Sequence, residues 1–287
     1  MLRSVFVGSP NRITKLLAHW LSVHTDLRGV VWSSSAYWSW SLRGRFQFIR
    51  KRLKRVGLLK TCDEALYYFL LHRRFLRSAA NTETQTRLID FYCRNYGPPH
   101  WDGDSIHTDD INSAATQEFV RQHQPDLIMS MCVNDYFGRK LREIPRLGCF
   151  LWHEGITPEY KGLFSPFWAI HNRELNLLGY SVLRMNHRYD EGEVFLQGPA
   201  VGVDPFIDSP HYIGHKAILD SLPAVKELLS RLEGGAAVPL PTANRKSAAY
   251  TYPGLSDGLR FAARRKRLRA EDAQSRETAK PLPLRNA

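Results

Sequence analysis

Two side chains capable of acid-base chemistry stand 37 residues apart in the central part of the 287-residue chain. His153 follows a short apolar run, Cys149–Trp152, and opens a loop rich in glycine and proline. Asp190 lies in a polar turn between two further apolar runs. A histidine at a strand end can present a base, and a carboxylate on a neighbouring strand end can orient the imidazole or relay its proton. His153 and Asp190 are therefore candidate members of one site, provided that the two strands are neighbours.

The stretch Gly148–Gln197, which carries both residues, is predicted as strand, loop, helix, strand, loop, strand. Tyr180–Met185 has the composition of a strand, and the polar residues after it turn the chain. The helix is expected to begin near Ser165, which suits the N-cap position. Pro166 suits the first helical position because its missing N–H would be unpaired there in any case.

The remainder of the domain is predicted from strand and helix patterns that alternate along the chain. A Gly8-Ser9-Pro10 turn joins the first strand to the first helix, as at the start of a doubly wound domain. We predict strands at Arg3–Val7, Leu27–Trp32, Ser105–His107 and Leu127–Val133, and helices at Ile13–Val23 and from the cap at Asn112 or Ser113 to about His123. The predicted fold class is therefore α/β, with a doubly wound, mostly parallel, Rossmann-like sheet.

The segment of residues 34–100 breaks this pattern and is predicted as a basic helical insertion. The net charge of +12 is concentrated in residues 1–77, which carry +12, and in residues 241–287, which carry +7. Helices are expected over Arg45–Val56 and Glu64–Leu76, each with an apolar face and several arginines. A solvated basic face, a lid that attracts a phosphorylated substrate, and a surface for anionic lipid or nucleic acid all agree with this charge.

The C-terminal part is predicted as a helix followed by a tail. The helix covers His211–Leu232 and should be kinked or split at Pro223, which cannot donate to the helical hydrogen-bond ladder. We place the domain boundary at residue 235 and predict that residues 236–287 are basic and largely disordered, with a short basic helix at Leu259–Arg269. His211 and His215 have metal-ligand spacing, but no third ligand accompanies them, and no metal site is predicted.

The cysteines and the lengths of the apolar runs bear on the cellular compartment. The four cysteines, Cys62, Cys93, Cys132 and Cys149, form no CxxC pair and are interpreted as reduced thiols. The chain enters a strand directly, without the charged and apolar regions of a secretory signal, and no run approaches the roughly 20 apolar residues of a membrane span. A cytoplasmic protein is expected.

The order and spacing of nine residues resemble the core of the 10-formyltetrahydrofolate-dependent formyltransferase superfamily, which includes methionyl-tRNA, glycinamide ribonucleotide and sugar N-formyltransferases. The motifs are HEGITPEYKG and YDEG, and the matching residues are His153, Pro158, Tyr160, Gly162, Pro166, Trp168, Gly179, Asp190 and Gly192. The resemblance implies the formyltransferase fold and 10-formyltetrahydrofolate as the cofactor. The chain departs from the family at Leu151, where relatives have an asparagine that donates to the oxyanion of the transition state.

The resemblance also implies roles for residues. His153 takes a proton from the amine or helps to stabilise the oxyanion, and Asp190 holds the histidine or a relaying water. The residues implied in cofactor binding are Met131, Asn134, Tyr136, Asn186, His187 and Asp190. Those implied in substrate binding are Glu154, Tyr160, Gly162 and Ser165. The lost oxyanion donor could be replaced by Asn134, Asn186, the Trp152 indole or protonated His153.

Three functions agree with this reading. The first is formyl transfer to the primary amine of a small anionic metabolite, such as a nucleotide-linked amino sugar. The second is a catalytically impaired protein that retains the folate crevice. The third is transfer to aminoacyl-tRNA, with the basic segments in place of the usual C-terminal β-barrel domain. Contact of the basic helices with a membrane surface stays open, as does the oligomeric state.

Overall fold

The computed structural model describes residues 1–34, 49–50, 52–54, 56–72, 79–133, 135–188 and 190–278. A seven-stranded sheet with the order β3-β2-β1-β4-β5-β7-β8 forms its centre. Its strands are β1 (Arg3–Gly8), β2 (Asp26–Ser33), β3 (Ser105–Thr108), β4 (Leu127–Met131), β5 (Cys149–His153), β7 (Gly179–Met185) and β8 (Gly192–Pro199). The first five strands are parallel, and β7 is antiparallel to both of its neighbours. The predicted doubly wound, mostly parallel sheet is confirmed.

Helices cover both faces of the sheet, as parallel strands that are apolar throughout require. The helices named in the following paragraphs are α1 (Arg12–His24), α2 (Leu58–Leu66), α3 (Ala79–Tyr96), α4 (Ala114–Gln122), α5 (Arg139–Arg142), α6 (Ser165–His171), α7 (Pro210–Asp220), α8 (Leu222–Glu233) and α9 (Leu255–Thr278). One apolar core joins α1, α3, α7 and α8 to the first face, with Trp20 and Trp152 in edge contact at its centre. A second core joins α4 and α5 to the other face through Val120 and Leu141.

A third apolar cluster ties the C-terminal segment to the domain. Phe261 of α9 is 6% exposed and stacks on Phe167 of α6 at 4.5 Å between ring centroids. The short strand β9 (Ala249–Tyr250) pairs with β6 (Lys161–Gly162) in a separate two-stranded sheet. β9 and α9 lie in the segment predicted as a largely disordered tail, and α9 contains the short basic helix predicted at Leu259–Arg269. Leu255 packs against the same apolar cluster as Phe261, whereas the prediction considered only the many arginines of this helix.

Two predicted features of the helices can be compared with the structure. The helix expected at His211–Leu232 is split into α7 and α8, with Pro223 in the first turn of α8, as predicted. Ser165 is the first residue of α6 and Phe164 occupies the N-cap position, so the predicted N-cap role of Ser165 is wrong. The Ser165 hydroxyl instead lies 3.2 Å from a histidine nitrogen, as described below.

The insertion contains α2, a π-helical turn over Tyr67–His72, and α3. The predicted helix at Glu64–Leu76 therefore overlaps the end of α2 and the turn, whereas its last four residues lie outside the described ranges. Much of the predicted helix at Arg45–Val56 lies outside them too. Among the described helices, none combines the length and the apolar character needed to cross a membrane.

A buried ion pair holds the insertion against the C-terminal segment. Arg52 donates to both carboxylate oxygens of Glu64 at 2.6 Å, and also to the Thr251 hydroxyl at 2.7 Å. The two charged side chains are 9% and 8% exposed. Burial of two charges is compensated only when they stay paired, because each loses its hydration.

We expect Glu64→Gln to lower the free energy of unfolding by about 3 kcal/mol, because it leaves the Arg52 guanidinium buried without its counter-ion. Urea denaturation followed by circular dichroism measures the change. Glu83→Gln is the matched control, since Glu83 forms an exposed pair with Arg87 and its loss should cost less than about 1 kcal/mol. Equal effects of the two substitutions would contradict the structural role of the Arg52–Glu64 pair.

Candidate active site

The two predicted catalytic residues come from neighbouring strands. In the β5–β7 ladder, Leu151 pairs with Leu183 and His153 pairs with Ser181. Because β7 runs antiparallel to β5, the turn after Met185 lies nearer the start of β5 than its end. The loop after His153 must therefore fold back over the sheet to meet this turn, which carries Asp190.

His153 is 6% exposed, and its imidazole is held by the loop that follows it. Its Nε2 lies 2.8 Å from the Tyr160 carbonyl oxygen and 3.2 Å from the Ser165 hydroxyl. A carbonyl oxygen only accepts hydrogen bonds, so Nε2 carries the proton that it donates to Tyr160. In the neutral ring the basic nitrogen is then Nδ1. The loop thus fixes both the orientation and the tautomer of His153.

Asp190 holds the same loop from the opposite end. Its Oδ2 accepts a hydrogen bond of 2.7 Å from the Gly162 backbone N–H. Beside it, Lys161, which is 6% exposed, forms an ion pair with Glu191. Gly162 has a φ of +92°, and a Cβ there would collide with the Tyr250 carbonyl oxygen, so this position requires glycine. We call this junction of residues 161–162 with residues 190–191 the loop clamp.

No hydrogen bond joins His153 to Asp190 within the described ranges, so the carboxylate does not orient the imidazole directly in this structure. The connection runs through the loop. Asp190 fixes Gly162, and two residues earlier the Tyr160 carbonyl fixes the imidazole. Within the described ranges, Asp190 is therefore linked to His153 through the backbone of the loop.

A small crevice of about 40 Å³ opens on the face of the sheet that carries Leu151 and Asp190. Tyr136 and Phe137, which follow β4, form one wall. Asn186 and Asp190, in the turn after β7, form another. Leu151 and His153 project on the same side of β5 because they are two residues apart. His153 does not line the crevice itself but lies next to it along β5, two residues beyond Leu151.

Three of the six predicted cofactor residues, Tyr136, Asn186 and Asp190, line this crevice. Met131 does not, because its side chain is 2% exposed in the core on the other face. His187 is exposed and does not line it either, and Asn134 lies outside the described residues. The crevice contains Ser130 instead, whose buried hydroxyl has no hydrogen-bond partner among the described residues. Ser130 and Met131 are adjacent in β4, and adjacent residues of a strand face opposite sides of the sheet. Ser130 therefore faces the crevice and Met131 does not.

The predicted substrate residues are divided between the site and the core. Ser165 contacts His153, and Gly162 contributes its backbone N–H to the clamp. The side chain of Tyr160 is 0% exposed, donates to Glu174 and stacks on Tyr250. Only its carbonyl reaches the site, so the prediction that this side chain binds substrate is not supported by its position.

Glu154 lies at the same edge of the sheet but on the other face from His153. Its carboxylate packs against α7, where a Cβ on Gly214 would lie 2.5 Å from Oε2. Burial raises the pKa of Glu154 from 4.5 to about 7. A carboxyl group with a pKa near neutrality can take or give a proton at physiological pH.

Comparisons with known proteins agree with this architecture. No protein-family model matches the chain. The methionyl-tRNA formyltransferase of Thermotoga maritima is 32% identical over 101 residues, which are 35% of this chain and 32% of that protein. The GDP-perosamine N-formyltransferase of Brucella melitensis is 27% identical over 124 residues, 43% of this chain and 47% of that protein. The matched stretches thus span less than half of these curated relatives.

Among solved structures, a sugar N-formyltransferase from a Shewanella species superposes with a TM-score of 0.52 at 13% identity, over 92% of this chain and 88% of that chain. A 4-N formyltransferase from Francisella tularensis gives 0.51 at 13% identity, over 86% of this chain and 75% of that chain. These likenesses establish the fold. Together with the sequence matches, they confirm the similarity to the formyltransferase superfamily that the motifs indicated.

The pKa of Glu154 predicts a pH dependence of stability. A carboxyl whose folded-state pKa lies above its unfolded value contributes stability that is complete at low pH and is lost as pH rises through the folded-state pKa. Between pH 5 and 8 the free energy of unfolding should therefore fall by about 2 kcal/mol more in the wild type than in Glu154→Gln. Urea denaturation at the two pH values measures this difference. The exposed Glu227→Gln serves as control, and a Glu154→Gln profile parallel to the wild type would contradict the prediction.

Proposed function

Because the chain resembles the formyltransferase superfamily in sequence and fold, we propose that it transfers a formyl group from 10-formyltetrahydrofolate to a primary amine. The observation that supports this most strongly is the loop clamp. The motif residues Gly162 and Asp190, which are far apart in the sequence, meet at 2.7 Å and position a loop whose carbonyl holds His153.

The proposed acceptor is the amine of a small anionic metabolite, such as a nucleotide-linked amino sugar. Two proteins that support this choice are the GDP-perosamine N-formyltransferase and the sugar N-formyltransferase named above. The aligned parts cover less than half of the curated relatives, so the acceptor is assigned here as a class and not as a compound.

The crevice has the chemistry expected of a pterin site. Tyr136 and Phe137 offer aromatic walls, and Asn186 and the unpartnered Ser130 hydroxyl offer polar contacts for the edge of a heterocycle. Its volume of about 40 Å³ holds only a few water molecules. Entry of the cofactor would require the segment after β4 to separate from the turn after β7.

In the proposed reaction, the bound cofactor supplies the formyl group. His153 would use Nδ1, the nitrogen left unprotonated when Nε2 donates to the Tyr160 carbonyl, to take a proton from the attacking amine. It would return this proton to the folate nitrogen whose bond to the formyl carbon breaks, so that tetrahydrofolate leaves. Glu154, with a pKa of about 7, lies on the other face of the sheet and takes no part in this step. Asp190 keeps the loop closed over the strand end. Leu151 is apolar and provides no donor to the developing oxyanion.

A catalytically impaired, folate-binding protein is the second candidate, and Leu151 is the observation that favours it. Loss of one oxyanion donor typically lowers the rate on the order of 100- to 1000-fold. Tight folate binding in calorimetry, without release of tetrahydrofolate in the presence of any amine, would select this function.

The main test measures amine-dependent release of tetrahydrofolate, with mass spectrometry of the products from a panel of nucleotide-linked amino sugars. Wild-type protein should form an N-formyl product, and His153→Gln should lower kcat/KM by a factor of about 100. His100→Gln, at an exposed histidine, should leave the rate unchanged. Turnover equal to buffer for folded wild-type protein across the panel would exclude the transferase.

Substitution at Leu151 gives a gain-of-function test. Leu151→Asn should raise kcat by at least about 10-fold, because it restores an amide donor beside Asp190 in the crevice. Leu151→Ala, which enlarges the crevice without adding a donor, is the matched control and should not raise kcat. If both variants change kcat equally, the effect comes from space and not from oxyanion stabilisation.

A further inference from the structure

A second cavity, of about 260 Å³, lies between the π-helical turn, α3, α6, the start of α7 and α9. It shares no lining residue with the crevice at Leu151. The cavity lies close to His153 along the chain. Phe164 lines the cavity, and the next residue, Ser165, contacts His153 through its hydroxyl. The volume is several times that of the crevice and suits a small organic molecule.

The walls of the cavity are largely aromatic. Tyr67, Phe164, Phe167 and Phe261 all contribute. Phe167 and Phe261 are stacked with 17° between their ring planes, and Tyr67 meets Phe167 edge-on at 5.8 Å. Such walls favour a flat, apolar body, because rings pack on one another in stacked or edge-to-face arrangements.

A guanidinium group is partly buried in this aromatic setting. Arg265 lines the cavity, and its Nε is a buried atom without a hydrogen-bond partner among the described residues. One of its terminal nitrogens donates to the main-chain carbonyl of Asp208, not to a carboxylate. Burial lowers the pKa of Arg265, which shows that its surroundings disfavour the charge. Asp204 and Asp208 attract the guanidinium through space, but no ion pair of Arg265 with a carboxylate is present among the described residues. A bound anion would supply that direct partner and recover part of the cost of burying the charge.

Two histidines complete the polar part of the lining. The rings of His72 and His211 lie 5.2 Å apart, and the buried Nε2 of His211 has no partner among the described residues. Burial lowers the pKa of His211 to about 4 and that of His72 to about 3, so both rings are neutral at pH 7. The carboxylate of Asp208, the acidic residue of the lining, accepts a hydrogen bond from the Asp204 N–H. Arg265 therefore supplies the positive charge of the lining, and Asp208 supplies a negative one.

We propose that this cavity binds a small organic anion, with a flat apolar body between the aromatic rings and a carboxylate, sulfonate or phosphate group on Arg265. The neutral imidazole of His211 provides an additional hydrogen bond. The inference does not depend on formyl transfer, since it rests on the charge and shape of a cavity that has no residue in common with the crevice. A metal is not the proposed ligand, because no group of three or more ligating side chains is present among the described residues.

The test compares two probes of nearly equal shape by isothermal titration calorimetry. They are 2-naphthoate, which carries a carboxylate, and 2-naphthalenemethanol, which is neutral. Wild-type protein should bind the anion at least 10-fold more tightly than the neutral probe. In Arg265→Gln this preference should fall to less than 2-fold, whereas Arg267→Gln, at an exposed arginine of the same helix, should retain it.

A second variant keeps the test decisive if Arg265→Gln does not fold. Ile207 lies in the cavity lining and is 65% exposed, so Ile207→Glu is tolerated by the fold and adds a negative charge beside the site. It should weaken 2-naphthoate at least 5-fold and leave 2-naphthalenemethanol unchanged. Val238→Glu, at a residue 71% exposed outside the lining, is its control. The proposal is overturned if the wild type binds both probes equally or neither, or if no cavity variant alters the preference for the anion.

Discussion

The loop clamp is the contact on which the candidate site depends. One hydrogen bond, from the Gly162 N–H to Asp190, and one ion pair, between Lys161 and Glu191, join the loop after β5 to the turn after β7. The two segments leave opposite ends of an antiparallel strand pair, so nothing in the sheet itself brings them together. Once they are joined, the Tyr160 carbonyl is in place to hold His153. The orientation of the His153 imidazole thus depends on backbone groups of a distant part of the chain.

The clamp is supported in turn by the C-terminal segment. β9 pairs with β6, and the close approach of Tyr250 to Gly162 leaves no room for a side chain there. Tyr250 also stacks on Tyr160, and Thr251 completes the buried Arg52–Glu64 pair. Residues 249–251 therefore connect the site to the insertion. A segment that is remote in sequence contributes to the rigidity of the loop because its backbone forms the second strand beside it.

The two sides of β5 have different chemistry. On the side of His153, Leu151 gives the crevice an apolar floor, and the polar groups come from the neighbouring loops. On the other side, Glu154 is held at α7 with a pKa near neutrality. The histidine that ends β5 and the glutamate directly after it thus lie in different surroundings. The second cavity lies past Phe164 and adds a buried arginine among aromatic rings to the same region of the molecule.

Local patterns in the sequence were sufficient for the fold class, the strands around His153, and the break at Pro223, because each depends on apolar periodicity or on the chemistry of one residue. The motifs also singled out Gly162 and Asp190, whose roles in a site stay a prediction. Only the tertiary structure showed that the Gly162 N–H donates a hydrogen bond to Asp190 and that Ser130, not Met131, faces the crevice. It also showed that Tyr160 contacts His153 through its carbonyl oxygen. It also placed Phe261 in a core, although its helix is rich in arginine. The physical reason is common to these cases: side-chain direction and long-range pairing depend on which surfaces pack together, and a local pattern does not contain that information.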